Sequence, residues 1–402
     1  MKSFEERLET ESAAWVADGV IAAEQRPRLL ARHPVRAGGA QRFMAILLMI
    51  GAALFAVGVS LVIKSNWEAI GDWAKIGGLV ALLAGTHVLG WRLKIAPGHF
   101  PKTGDACLMA GAVFFLLGIA LVSQIFHIDS RPANGVLLWW AGIAALPWLT
   151  RAKGAQFVSV VAGLTWLAME LNANDSWLRL FTDRGNWYDA QFPNFAAAAF
   201  LVGAAVFGFG LGLRGGTHEY FAGLHEKIGL LLANWSLYVL GFSWSTHRWT
   251  THTMHAARLE PVVALAALAA VGIGWAALRN RTELRAIAWY AVLGIVPVLA
   301  NLFGVELRDS SWLWGGLACL ALFVLNLGMI RVGLATGREA WINLGMAGIA
   351  LNVVTRYFLL FGTMLEGGVF FIVTGLLVLG LGYFLERKRR VLVATVRKEV
   401  TS

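Results

Sequence analysis

Charge is scarce in this 402-residue chain: Asp, Glu, Lys and Arg make up 14% of it, against 58% hydrophobic residues. A soluble protein is about 25% charged, and one of this length has no interior large enough to hide so much apolar surface. Soluble, disordered, collagen-like and coiled-coil classes are therefore excluded. Cysteine is nearly absent. Cys107 and Cys319 both lie in apolar runs, which leaves no disulfide framework and no cysteine-rich zinc site. Recognisable catalytic patterns are missing too. There is no Walker motif, nucleophile elbow or pair of intramembrane aspartates, and His218-Glu219 and His225-Glu226 do not make His-Glu-x-x-His. Gly208-x-Gly210-x-Gly212 lies in an apolar helix instead of a strand-to-helix turn, so it is no nucleotide fingerprint. No catalytic, cofactor-binding or metal-binding residue is assigned, and the expectation is a protein that is not an enzyme.

What the chain has in abundance is apolar runs, with a mean hydropathy of +0.64. Scanning for stretches that cross roughly 30 Å of hydrocarbon predicts twelve spans, at 43–63, 76–91, 106–126, 135–150, 155–171, 195–213, 228–246, 260–278, 284–304, 312–331, 340–361 and 367–385. The expected fold is an all-α, polytopic membrane bundle. Because the first apolar run starts at Phe43, behind a charged stretch, no signal peptide is expected. With the N-terminus cytoplasmic, the inner segments and inner span ends hold 25 of the 34 basic residues and the outer segments eight, Arg356 alone falling deep within a span. That is the bias of the positive-inside rule. Both termini are expected inside a bacterial inner membrane. The net charge of +10 then reflects topology and anionic lipid headgroups, not nucleic acid. The 18 tryptophans suit an interfacial belt.

Residues 1–42 are expected to form a cytoplasmic amphipathic helical hairpin. Ser3 and Glu6 have capping-box spacing, Phe4, Leu8, Ser12, Trp15 and Val16 share a helical face, and Asp18-Gly19 makes the turn. Pro27 requires the second helix to begin near Gln25. Two readings stay open: a docking module for a protein partner or the membrane surface, and a piece packed on the protein's own inner face. The basic tail 386–402, with Arg387-Lys388-Arg389-Arg390, is a stop signal with lipid affinity.

Several stretches resemble an uncharacterised bacterial membrane family, domain of unknown function 2157. They are the hairpin around Trp15-Val16-Ala17-Asp18-Gly19, the Gly51–Gly58 span ending in Asn66-Trp67, and Ala120 through Ile128 with its Gln124-x-x-His127. Trp139 through Pro147, Arg356-Tyr357-Phe358 and the basic tail also fit. The resemblance is densest over the first 170 residues. It implies a membrane location and no catalytic activity.

The chain also matches itself. Ile50–Leu61 aligns with Val202–Leu213 at six of twelve positions, and Lys75–Ala81 aligns with Lys227–Ala233 at five of seven. Trp139, Ala141, Pro147 and Leu149 recur as Trp289, Ala291, Pro297 and Leu299. Copies five spans apart enter the membrane in opposite directions, the pattern of inverted-repeat transporters. The predicted organisation is repeat one at 43–171, a periplasmic loop at 172–194, repeat two at 195–331, and two further spans at 332–385.

Nine residues make up a candidate polar seam or cavity: Asn66, Trp67, Gln124, His127, Pro147, Pro297, Asn301, Asn352 and Arg356. Pro147 and Pro297 should each free the carbonyl four residues earlier and kink their spans, with Asn301 placed to bond exposed backbone. Gly345, Gly348, Asn352 and Arg356 form one continuous helical face. Arg356 either snorkels outward, pairs with Glu170 or Glu366, or meets a headgroup or substrate. Ser123, Gln124 and His127 are expected to be neighbours on a helical face beside Asp129, a proton relay or a solvated helix end. His87 is expected to be a neutral, hydrogen-bonded group. His247, His252, His255 and Glu260 lack the spacing of a known metal site.

Two functions remain in view. One is a non-enzymatic membrane component that anchors or regulates an envelope assembly, with anionic lipids and a hairpin-binding protein as partners. The other is a transporter-like protein for an apolar or lipid-like substrate, since its spans contain few of the ionisable groups that ion coupling uses.

Overall fold

The computed structural model describes residues 4–32, 67–95, 100–181, 192–244, 257–304 and 311–361, with isolated positions near 61–65 and between 372 and 387. Among the described residues every regular element is helical. Contacts divide the chain into two compact units, residues 1–77 and 78–402.

In the first unit, α1 (Phe4–Ala17) and α2 (Gln25–Arg32) are joined by a turn in which Gly19 takes φ +69°. That left-handed conformation suits glycine, which has no Cβ to clash. Helix α2 begins at Gln25, leaving Pro27 in the first turn, where its missing N–H is no loss. Arg26 donates to the Ser12 hydroxyl at 3.4 Å.

The longer helices are α3 (Asp72–Lys94), α4 (Pro101–Ile125), α5 (Pro132–Ile143) with the short α6 (Leu146–Thr150), and α7 (Lys153–Asn172). Then come α8 (Phe192–Leu213), α9 (Ala222–Leu240), α10 (Leu259–Arg279), α11 (Arg281–Leu302), α12 (Ser311–Ala335) and α13 (Glu339–Phe361). Eight of the described helices, counting α5 with α6 as one, are long and apolar enough to cross a membrane. A helix suits that solvent because it satisfies all of its own backbone. Spans one and twelve fall largely outside the described residues.

The second unit holds several hydrophobic clusters, two of which set out its architecture. In one, α4, α5 and α7 enclose Ala112, Trp139, Ile143, Val158 and Ala162, and Trp139 donates its indole N–H to the Ala112 carbonyl at 2.8 Å. The other is built on α8, the most buried of the membrane-length helices. Its glycines let neighbouring backbones approach closely, as small residues do between membrane helices. A Cβ on Gly203 would lie 2.8 Å from the Gly229 carbonyl of α9, and one on Gly208 would lie 2.5 Å from the Gly272 backbone of α10. The Gly208–Gly212 pattern is therefore a helix contact surface.

The two prolines paired by the self-alignment behave differently. Pro147 sits just after a break between α5 and α6, while Pro297 lies inside the continuous α11. Ala144 and Ala145, between α5 and α6, keep right-handed helical angles, so the fourth span is disturbed only locally, in the turn before the proline. In α11, fully buried Val298 and Leu302 hold the helix against its neighbours on the far side of the proline.

Candidate functional site

The predicted face of α13 meets two neighbours. Gly345 and Gly348 press on Asn326 of α12: a Cβ on Gly348 would come 2.3 Å from the Asn326 amide oxygen. One turn further, Asn352 accepts a hydrogen bond from Arg356 Nε at 3.3 Å. Arg356 does not snorkel; it is 8% exposed. Its Nη2 donates to the backbone carbonyl of Tyr238 at 3.2 Å, and its guanidinium lies 4.6 Å from the ring centroid of Phe242. Among the described residues no carboxylate pairs with it: Glu170 pairs with Arg131 at 3.1 Å at the end of α7, and Glu366 lies outside the described residues. Tyr238 is in the last turn of α9, whose terminal carbonyls have no partners within their own helix. They carry the negative end of the helix dipole, which favours a cation. Arg356 caps that end. Gly241 makes room for it, since a Cβ there would lie 2.3 Å from Nη2.

The more elaborate polar constellation is one that sequence reasoning missed. Glu226, in the second turn of α9, is fully buried. Arg214, just past α8, donates Nε to Oε1 at 2.5 Å and Nη2 to Oε2 at 2.8 Å, a bidentate pair. Oε2 also accepts the Trp341 indole N–H of α13 at 3.2 Å and lies 3.6 Å from Arg338 Nη1. Arg338 reaches on to Glu283 of α11. Two guanidiniums and two carboxylates thus tie together the same-side ends of α8, α9, α11 and α13. Burial opposes the charge on Arg214, but its hydrogen bond and attraction to Glu226 outweigh this and raise its pKa above the ordinary value. Nearby, Asn280 donates to the Leu211 carbonyl at 2.6 Å and so caps α8. One signal was available: Arg214, Glu226, Glu283 and Arg338 all flank predicted inner span ends, where only the bases had been counted.

Beside Glu226, buried His225 and Gln156 join α9 to α7, their Nε2 atoms 3.2 Å apart. His225 Nδ1 lies 3.0 Å from the Phe221 carbonyl, so Nδ1 carries the proton and Nε2 accepts from the glutamine amide. Trp148 packs edge-on against Phe209, His218 and Phe221. Lys94 bridges Asp105 at 2.5 Å and the Arg151 carbonyl at 2.8 Å.

The remaining candidates do not converge on one site. Asn66 lies outside the described residues, while Trp67 starts a short 3-10 turn with Lys75 Nζ 4.8 Å from its ring. Helix α4 ends at Ile125, and His127 takes φ +49° beyond it, so Ser123, Gln124 and His127 do not share a helical face. Gln124, His127 and Asp129 are exposed, and the Ser123 hydroxyl donates to the Ile128 carbonyl at 3.2 Å, closing the helix end. Asn301 bonds the Pro297 carbonyl at 2.8 Å, not the Leu293 carbonyl that the proline frees. The imidazole of His87 packs over Gly111, with Nδ1 2.8 Å from the Leu83 carbonyl. His247, His252 and His255 lie outside the described residues.

A cavity of about 330 Å³ opens between α7, α8 and α9. Its walls include Leu164, Ala168 and Leu171 of α7, Phe195 and Ala199 of α8, and Trp235 of α9.

A family model described as "Predicted membrane protein (DUF2157)" matches residues 13–156. Over that stretch the chain is similar to this family. The match covers most of the region where the sequence resemblance is densest, from within α1 to the start of α7. The Glu226 network and Arg356 both lie beyond it. No curated protein and no solved structure matches the chain.

Proposed function

We propose that this chain is a non-enzymatic, twelve-span component of a bacterial inner membrane, with both termini cytoplasmic, that anchors or regulates an envelope assembly. The observation that carries the reading is the Glu226 network. Its opposite charges are spent on one another across four helix ends, and the glycines of α8 bring that helix backbone to backbone against α9 and α10. Such an arrangement favours a scaffold whose ionisable groups fasten helices together. On this reading residues 4–32 form the hairpin that meets the partner. Helix α2 sets Arg26 and Arg28 beside Leu29 and Leu30, a surface suited to an acidic protein partner.

Reporters placed after Arg390 and within 172–192 test the topology, with cytoplasmic and periplasmic signals expected respectively. Deletion of residues 1–32 should leave membrane abundance unchanged while dissolving a native-gel complex. A deletion that leaves such a complex intact would remove the hairpin from the proposal.

The local disturbance before Pro147 in the fourth span and the apolar cavity favour a second reading, a transporter-like protein on an inverted repeat with a lipid-like substrate. Purified protein in phosphatidylethanolamine vesicles would then speed the exchange of a fluorescent phospholipid between leaflets. No acceleration over empty vesicles would reject it.

A further inference from the structure

We propose that the cavity between α7, α8 and α9 is a resident-lipid site that holds one acyl chain of a membrane phospholipid. The inference stands apart from the scaffold reading, because a bound chain is compatible with a static bundle and with a transporter. Three features carry it. Helices α7 and α8 are both of membrane-crossing length and hydropathy, which puts an opening between them at the depth of the alkyl chains once the bundle is in a bilayer. The lining is apolar apart from Thr165, and it offers no ligand an orienting charge. It runs along α7 from Val161 to Leu171, about 15 Å at 1.5 Å per residue. That is half of a hydrocarbon core of roughly 30 Å, the depth of one leaflet and thus of one chain entering from one side.

The walls are fixed independently of any occupant. Trp235 is wedged edge-on against Phe192 and Phe195, with ring centroids 6.0 and 6.2 Å away. Gly203 next door brings α8 against α9 at Gly229. A preformed apolar pocket needs no reorganisation to accept a chain, and preorganisation is what separates a retained ligand from a passing one. On an exposed helix face, by contrast, a lipid touches protein on one side only. The pocket therefore holds a chain longer than the surrounding surface does.

The full chain is reconstituted in vesicles of phosphatidylethanolamine and phosphatidylglycerol doped with a phospholipid carrying a diazirine in one acyl chain. It is then irradiated, and the labelled residues are mapped by mass spectrometry. Labelling should concentrate on Leu164, Ala168 and Ala199, severalfold above Val271, a 71% exposed position on α10 that serves as the lipid-facing control. Ala199→Phe fills the cavity and should abolish most labelling of α7 while leaving Val271 unchanged. Ala168→Leu, a smaller filling from the opposite wall, should lower it partially and covers the case in which the phenylalanine variant misfolds. Equal labelling at Val271 and in the cavity would overturn the proposal. So would labelling of α7 that survives both substitutions in folded protein. In a parallel sample a photoreactive amino acid replaces Ala168; if it joins the cavity to segment 367–385 or to a second copy, and no lipid adduct forms there, a protein occupant overturns the proposal.

Discussion

Glu226→Gln is the most informative single change, because it alters charge and almost nothing in shape. In the native bundle the carboxylate takes a bidentate pair from Arg214, the Trp341 indole and the approach of Arg338. An amide keeps one acceptor oxygen and presents an NH₂ to guanidinium donors, so Arg214 loses its bidentate counter-ion and keeps only the exposed Glu219 at 4.0 Å, while remaining only a quarter exposed. Removing one partner of a buried pair costs about 3–5 kcal/mol, and the partial exposure of Arg214 argues for the lower end of that range. Spread over the unfolding entropy of a chain this long, that amounts to a fall on the order of 4 °C in the midpoint. Arg338 retains Glu283, so the damage should centre on the α8–α9 junction. The double variant Arg214→Met with Glu226→Gln removes the stranded charge and should be milder than Glu226→Gln alone. Thermal unfolding of the wild type, both single variants and the double variant in one detergent supplies the cycle. If the two single effects simply add, or Glu226→Gln changes the midpoint by less than about 1 °C, the network does not hold the helix ends together.

Two further outcomes follow from the geometry. Arg356→Leu strands no carboxylate among the described residues and removes only the cation at the α9 terminus, so it should cost about 1–2 kcal/mol. Arg356→Lys should recover most of that in the same thermal assay, and a loss as large as that of Glu226→Gln would mean that an acidic partner had been missed. Gly208→Leu drives a side chain into the Gly272 backbone, 2.5 Å from where its Cβ must sit; overpacking of this kind costs roughly 1–3 kcal/mol, and unchanged membrane abundance and midpoint would show that α8 and α10 do not touch there.

Composition and apolar run length were enough to identify a helical membrane protein, because a bilayer core tolerates only backbone that bonds to itself. The small-residue face of α13 was legible for a similar reason: a 3.6-residue period places Gly345, Gly348, Asn352 and Arg356 on one side whatever packs there. Which group meets that side was not. Arg356 finds a helix terminus 118 residues away in sequence and, among the described residues, no acid. Likewise Glu226 takes Arg214 from twelve residues before it and Trp341 from 115 after it. Nothing local in the chain distinguishes a charge left in the headgroups from one enclosed by four helix ends. Pro147 and Pro297 obey the same local rule, yet one follows a local disturbance and the other sits in an unbroken helix. Periodicity and transfer energy act residue by residue and were decided by sequence alone, whereas charge pairing and the fate of a proline depend on which helices pack together, and only the tertiary structure decided that.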